Sequence, residues 1–114
     1  MSRIKNDHRA AEFRRGIGAR LWALREVLKI DQGDFAKQMG AKQPALSKWE
    51  AGDQFPNEVG IRMLCGKYPV DFNYFYLGTY TAVPGELMLK LAPLIEAKLK
   101  ENEDRALHKG KPQS

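Results

Sequence analysis

Residues 32–52 read QGDFAKQMGAKQPALSKWEAG, and the spacing inside this stretch decides the fold. Asp31, just before it, supplies a carboxylate for a helix N-cap. Phe35, Ala36 and Met39 then fall on one side of a two-turn helix. Gly40 closes that helix, because glycine enters the left-handed region without a Cβ clash. A second short helix follows from Gln43 to Ala51. Pro44 suits its first turn, where a missing N–H costs nothing, and Gly52 suits its C-terminal end. Leu46 and Trp49, three apart, turn toward a core. Gln43, Pro44, Ser47 and Lys48 are left outward, three or four residues apart and so on one face. Two short helices around a glycine turn, with small Ala36 at their closest approach, form a helix-turn-helix candidate. Its outward face is polar and slim enough for a DNA major groove.

Outward from this pair the pattern stays helical. Ile17, Leu21, Leu24 and Leu28 predict a first helix over about 14–29. After the pair, Pro56-Asn57 opens a helical segment to about Lys67, with Ile61, Met63, Leu64 and Cys65 as its apolar residues. Asp71 caps a short helix, Phe72 to Leu77, stopped by Gly78. An extended linker leads to Pro84. The last helix starts at Pro84 or Gly85 and reaches about residue 103, carrying a stripe of Leu87, Leu91, Leu94, Ile95 and Leu99. Pro93 predicts a kink or break within it. Strand signals are weak throughout, so the expected fold is all-α. The expected organisation is a flexible basic N-terminal arm at 1–12, a DNA-binding-type helical domain at 13–78, a linker with a C-terminal amphipathic helix at 79–104, and a disordered tail at 105–114.

Composition limits the function classes. A chain of 114 residues makes one domain, and 43% hydrophobic with 29% charged residues is ordinary for a globular protein. The net charge is +5, from 19 basic and 14 acidic residues. Residues 1–70 carry 13 basic and 8 acidic residues, while 71–114 carry 6 of each. The basic surplus therefore lies in the first two thirds, where nucleic acid is an admissible partner. Cys65 stands alone and cannot form an internal disulfide or a cysteine zinc site. His8 and His108 have no metal-ligand spacing. With no signal peptide and no long apolar run, the expected location is the reducing cytoplasm, away from membranes. No Ser/His/Asp set, paired carboxylates or phosphate-cradling glycine loop is present, so no catalysis is expected. Neither a cofactor nor a small-molecule ligand is legible. Cys65, beside Leu64 in a helical pattern, reads as a structural thiol.

Residues 17–78 resemble the phage-repressor-type (Cro/C1-type) helix-turn-helix domain, the xenobiotic-response-element regulator family. The resemblance is carried by IGARLWALREVLKIDQGDFAKQMG, then AKQPALSKWEAG, then the FPN opening and VDFNYFYLG. It implies a five-helix domain that binds double-stranded operator DNA, usually as a homodimer. It further implies that Gln32 contacts a phosphate and braces Gln43, that Gln43 reads a base edge, and that Lys42, Pro44, Ala45, Ser47 and Lys48 line the same surface. Arg25 and Glu50 are implied to form a structural ion pair. The chain departs from the family pattern at three places. Lys42 replaces a Ser or Thr cap, Pro44 has no hydrogen-bonding side chain, and Asp53-Gln54-Phe55 lacks the basic residues many relatives carry.

Several residues admit two readings. Lys48 is a groove contact or a solvated lysine. Trp49 is core rather than a base stack. Tyr74, Phe75 and Tyr76 are core or a dimer contact rather than a binding platform. Arg3, Lys5, Arg9, Arg14 and Arg15 form an arm along the DNA or a solvated tail. The leucine stripe packs on its own domain or forms a dimer surface. The functional expectation is a sequence-specific transcriptional regulator of repressor type. Its rival is a protein-interaction module, or an antitoxin-type regulator, that docks a partner protein through the C-terminal helix.

Overall fold

The computed structural model describes residues 3–110. Every regular element among the described residues is helical: α1 (Arg3–Leu28), α2 (Gln32–Gln38), α3 (Gln43–Glu50), α4 (Glu58–Lys67), a π-helical segment (Asn73–Leu77) and α5 (Gly85–Gly110). Among them no helix is long and apolar enough to cross a membrane.

The local signals act at the positions that carry them. The Asp31 carboxylate accepts from the Asp34 N–H at 2.8 Å and starts α2. Gly40 and Gly52 take φ of 71° and 82° at the ends of α2 and α3. At Gly52 there is a second constraint, since a Cβ would sit 2.8 Å from the Arg15 Cα. Asn57 caps α4 through the Gly60 N–H. Lys42 precedes α3 in extended conformation and makes no side-chain cap.

α1 begins at Arg3, so the segment expected as an irregular arm over 1–12 is helical from its third residue. The stretch to Phe13 holds no Gly or Pro, and its Ala, Arg, Lys and Glu residues favour helix, so nothing stops α1 there. α5 likewise continues past 104 to Gly110, through residues expected as tail. Residues 1–2 of the arm and 111–114 of the tail lie outside the described residues. Pro93 does not break α5. It is exposed, as is Leu89 four residues before it, so the carbonyl deprived of its donor faces water. On the opposite side, Leu91 and Ile95 are held in the core across the proline.

α1 packs most extensively on α5, then on α3. The α1–α5 pair is antiparallel. Asn102 meets Arg15, while Leu87 and Lys90 share a cavity wall with Leu24 and Leu28. Leu91 is fully buried and Ile95 nearly so, with Leu87, Leu94 and Leu99 packed against them. The leucine stripe is thus the lid of the chain's own core. Burying each such side chain stabilises by about 1.5–3 kcal/mol. Leu46, Trp49, Phe35, Tyr74 and Phe75 join the same core, so Trp49 and two of the three clustered aromatics are structural. The Tyr74 hydroxyl donates to the Arg20 carbonyl at 2.6 Å, and the Arg20 Nε donates to the Phe75 carbonyl at 3.0 Å, tying the π-helical segment to α1.

Candidate nucleic-acid interface

Arg25 lies in the last turn of α1 and Glu50 at the end of α3. The Arg25 Nε donates to Glu50 Oε2 at 2.7 Å, and its Nη2 donates to Oε1 at 3.2 Å. A planar guanidinium matches a carboxylate in this two-pronged way, so the pair sets the angle between the two helices. Arg25 Nη1 also donates to the Ile30 carbonyl at 2.8 Å, holding the chain that enters α2. Glu50 is only 2% exposed, and its carboxylate is hydrogen-bonded there, by two donors of Arg25 and one further side-chain amide.

The third such donor is Gln32. Its Nε2 donates to Glu50 Oε1 at 2.8 Å, and Gln43 Nε2 donates to Gln32 Oε1 at 2.5 Å. The order of this relay is dictated by chemistry. A carboxylate only accepts, so Gln32 turns its amide nitrogen inward. Its carbonyl oxygen then faces Gln43, which must answer with its own nitrogen. Gln43 keeps one amide hydrogen and its carbonyl oxygen for a partner outside the chain. That donor–acceptor couple is what the N6 and N7 edge of adenine accepts and offers.

The implied Arg25–Glu50 pair and the Gln32–Gln43 brace are therefore both formed. Lys42, Gln43, Pro44, Ser47 and Lys48 are exposed together along α3, with Ala45 and Gln32 half-buried beside them. Lys42 and Lys48 put two cations on this face. The acidic loop residue Asp53 is bound to Arg105 through two contacts of 2.9 and 3.0 Å, which softens its repulsion of a polyanion.

The structure also assembles residues that sequence reading left scattered. Arg14, Arg15, Asp53, Asn102 and Arg105 meet between α1, the turn after α3, and α5. Arg14 and Arg15 are consequently not free arm residues: Arg14 Nε donates to the Gly52 carbonyl at 3.3 Å and its guanidinium lies over the Phe55 ring. Asn102 sits in a polar stretch of sequence, and no local signal marks it as buried. Cys65 is half-buried, and burial, assisted by the Asp71 carboxylate, pushes its thiol upward, away from the reactive thiolate form. Among the described residues no group of three His, Cys, Asp or Glu could hold a metal ion.

Comparison with protein-family models, with curated proteins and with solved structures finds no match to this chain.

Proposed function

We propose that this chain is a sequence-specific DNA-binding transcriptional regulator of the phage-repressor helix-turn-helix type, which reads the major groove with α3. The observation that carries the reading is the relay Arg25–Glu50–Gln32–Gln43. It begins on a buried ion pair and ends on an exposed amide at the first turn of α3, where a recognition helix meets base edges. A solvated surface glutamine gains nothing from such bracing. A base reader does, because a pre-set amide loses less freedom on binding.

In this reading Gln43 addresses a base edge, Ala45 contacts a thymine methyl, and Lys42, Ser47 and Lys48 add groove or phosphate contacts. A two-fold dimer sets two α3 helices about 34 Å apart on successive major grooves. Leu91 and Ile95 of the α5 stripe are spent on the chain's own core, with Leu87, Leu94 and Leu99 packed partly buried against it, which weighs against α5 as the dimer surface and as the docking face of the partner-protein alternative.

Selection from a randomised duplex pool tests this. Enrichment of an inverted repeat with half-sites one helical turn apart is expected. Gln43→Ala is expected to lose about 1–3 kcal/mol of discrimination at one base pair while leaving non-specific affinity in place. An equal loss on all sequences, or no enrichment by the parent chain, overturns the reading.

A further inference from the structure

α4 turns Gly60, Ile61 and Leu64 into the core. Val59, Arg62 and Met63, related by three and four positions, share the side that faces away from it. The outward side of such a helix is ordinarily polar. Here Val59 is 65% exposed and Met63 48%. The apolar surface continues off the helix. The Arg62 guanidinium lies over the Phe72 ring, 5.5 Å from its centre, and the exposed Phe72 ring has Tyr76 beside it at 6.0 Å. Val59, Met63 and Phe72 are thus joined around Arg62 into one patch. Exposed apolar residues that adjoin one another, unlike scattered ones, mark a contact surface.

The charges indicate what covers it. Glu58 and Arg62, four residues apart, are both exposed at the edge of the patch. Among the described residues neither takes part in an ion pair, with the other or with a third group. Lys67, at the far end of α4, is directed instead to the Tyr68 ring at 5.9 Å. A guanidinium over a ring face keeps its N–H donors for a carboxylate. The Glu58–Arg62 couple cancels in charge, so a partner strongly of one sign gains nothing from it. It is complementary to its own reversal, which a two-fold axis across α4 supplies by running the paired helices antiparallel.

We propose that this face is the contact between two copies of the chain, paired through antiparallel α4 helices. Val59, Met63 and Phe72 of the two copies cover one another, and Glu58 of each copy meets the partner subunit's Arg62. The patch shares no residue with the exposed face of α3, so Gln43 of both copies stays open. A two-fold dimer serves the proposed function, but the pairing goes beyond that reading: it stands on the patch and is measured without DNA.

Sedimentation equilibrium of the full chain tests the pairing, at about 0.15 M salt and about 1–300 µM protein. The mass is expected to rise from the 13.0 kDa of one chain toward twice that value. Met63→Glu, Glu58→Arg and Arg62→Glu are each expected to weaken association at least about tenfold, with the circular dichroism spectrum unchanged. An equimolar mixture of the Glu58→Arg and Arg62→Glu chains is expected to regain association, because each variant then meets the opposite sign on the other. A parent chain that stays monomeric overturns the proposal. So does a dimer that Met63→Glu leaves intact, or one whose charge variants fail to recover on mixing. A dimer formed in this way by a chain that enriches no duplex removes the proposed function and leaves the pairing standing.

Discussion

Glu50 serves two partners that belong to different levels of the molecule. With Arg25 it fixes α3 against α1, and with Gln32 it orients the amide that braces Gln43. Glu50→Gln leaves the Arg25 guanidinium, 10% exposed, with only the exposed Glu26 carboxylate, 3.3 Å away, as a counter-charge. The expected loss is about 3–5 kcal/mol in urea denaturation, as for other buried pairs cut on one side. Gln32→Ala spares the ion pair but removes one donor to the buried carboxylate, so a smaller loss of about 1.5–3 kcal/mol in urea denaturation is expected, and on the proposed function it comes with weaker base discrimination in duplex selection. Tyr74 offers a pH test. Burial holds its phenol far above the usual value of 10, with the Tyr80 neighbour adding to the effect. In the unfolded chain the same phenol ionises near 10, so the unfolded state binds fewer protons and stability falls as pH rises through that value. Tyr74→Phe is expected to cost about 0.5–1.5 kcal/mol at neutral pH by losing the bond to Arg20. It is also expected to flatten the decline at alkaline pH, which urea titrations between pH 8 and 11 would reveal.

At the scale of elements, the features legible in the sequence are those with their cause nearby. α2 and α3 are legible to within a residue, because Asp31, Gly40, Pro44 and Gly52 act on the backbone within one turn of themselves. The relay is foreseeable only through a resemblance, since nothing in the spacing of Arg25, Gln32, Gln43 and Glu50 requires them to converge. The N-terminal turns of α1 and the C-terminal turns of α5 read as arm and tail for one shared reason. Each carries little apolar periodicity of its own, and the α1–α5 packing that accompanies them joins segments far apart along the chain. Asn102 is illegible on the same ground. The contact between α1 and α3 also rests on a feature with no helical signature. A Cβ at Gly18 would stand 2.7 Å from the Glu50 carbonyl and meet the Trp49 carbonyl as well, both backbone atoms that cannot step aside. Gly18→Ala is expected to destabilise by about 1–3 kcal/mol despite alanine's better helix propensity. Gly66→Ala in α4, where a Cβ meets nothing within 4 Å, is expected to gain up to about 1 kcal/mol, and the pair of thermal melts separates close approach from propensity.

On the scale of the molecule, α5 is part of the fold and not an appendage to it. Val83, Leu91 and Ile95 belong to the same core cluster as Leu21 and Leu24 of α1. A chain ending at residue 83 is expected to lose cooperative unfolding and to bind a hydrophobic dye, checked by a thermal melt followed by circular dichroism and dye fluorescence. Retention of a sharp transition would show that residues 13–78 stand alone. On the proposed function, affinity for duplex DNA is expected to fall linearly on a log–log plot against salt, because neutralised phosphates release counterions. The bond from Asn102 to Arg15 spans 87 positions and so bears on how the protein comes into being. On the ribosome α1 emerges long before α5, the helix that shelters it. At about 5–20 residues per second, several seconds pass with Leu21 and Leu24 uncovered. The newborn chain therefore offers its apolar flank to chaperones, or to a second nascent copy, throughout that interval, and the fold closes only once α5 has emerged.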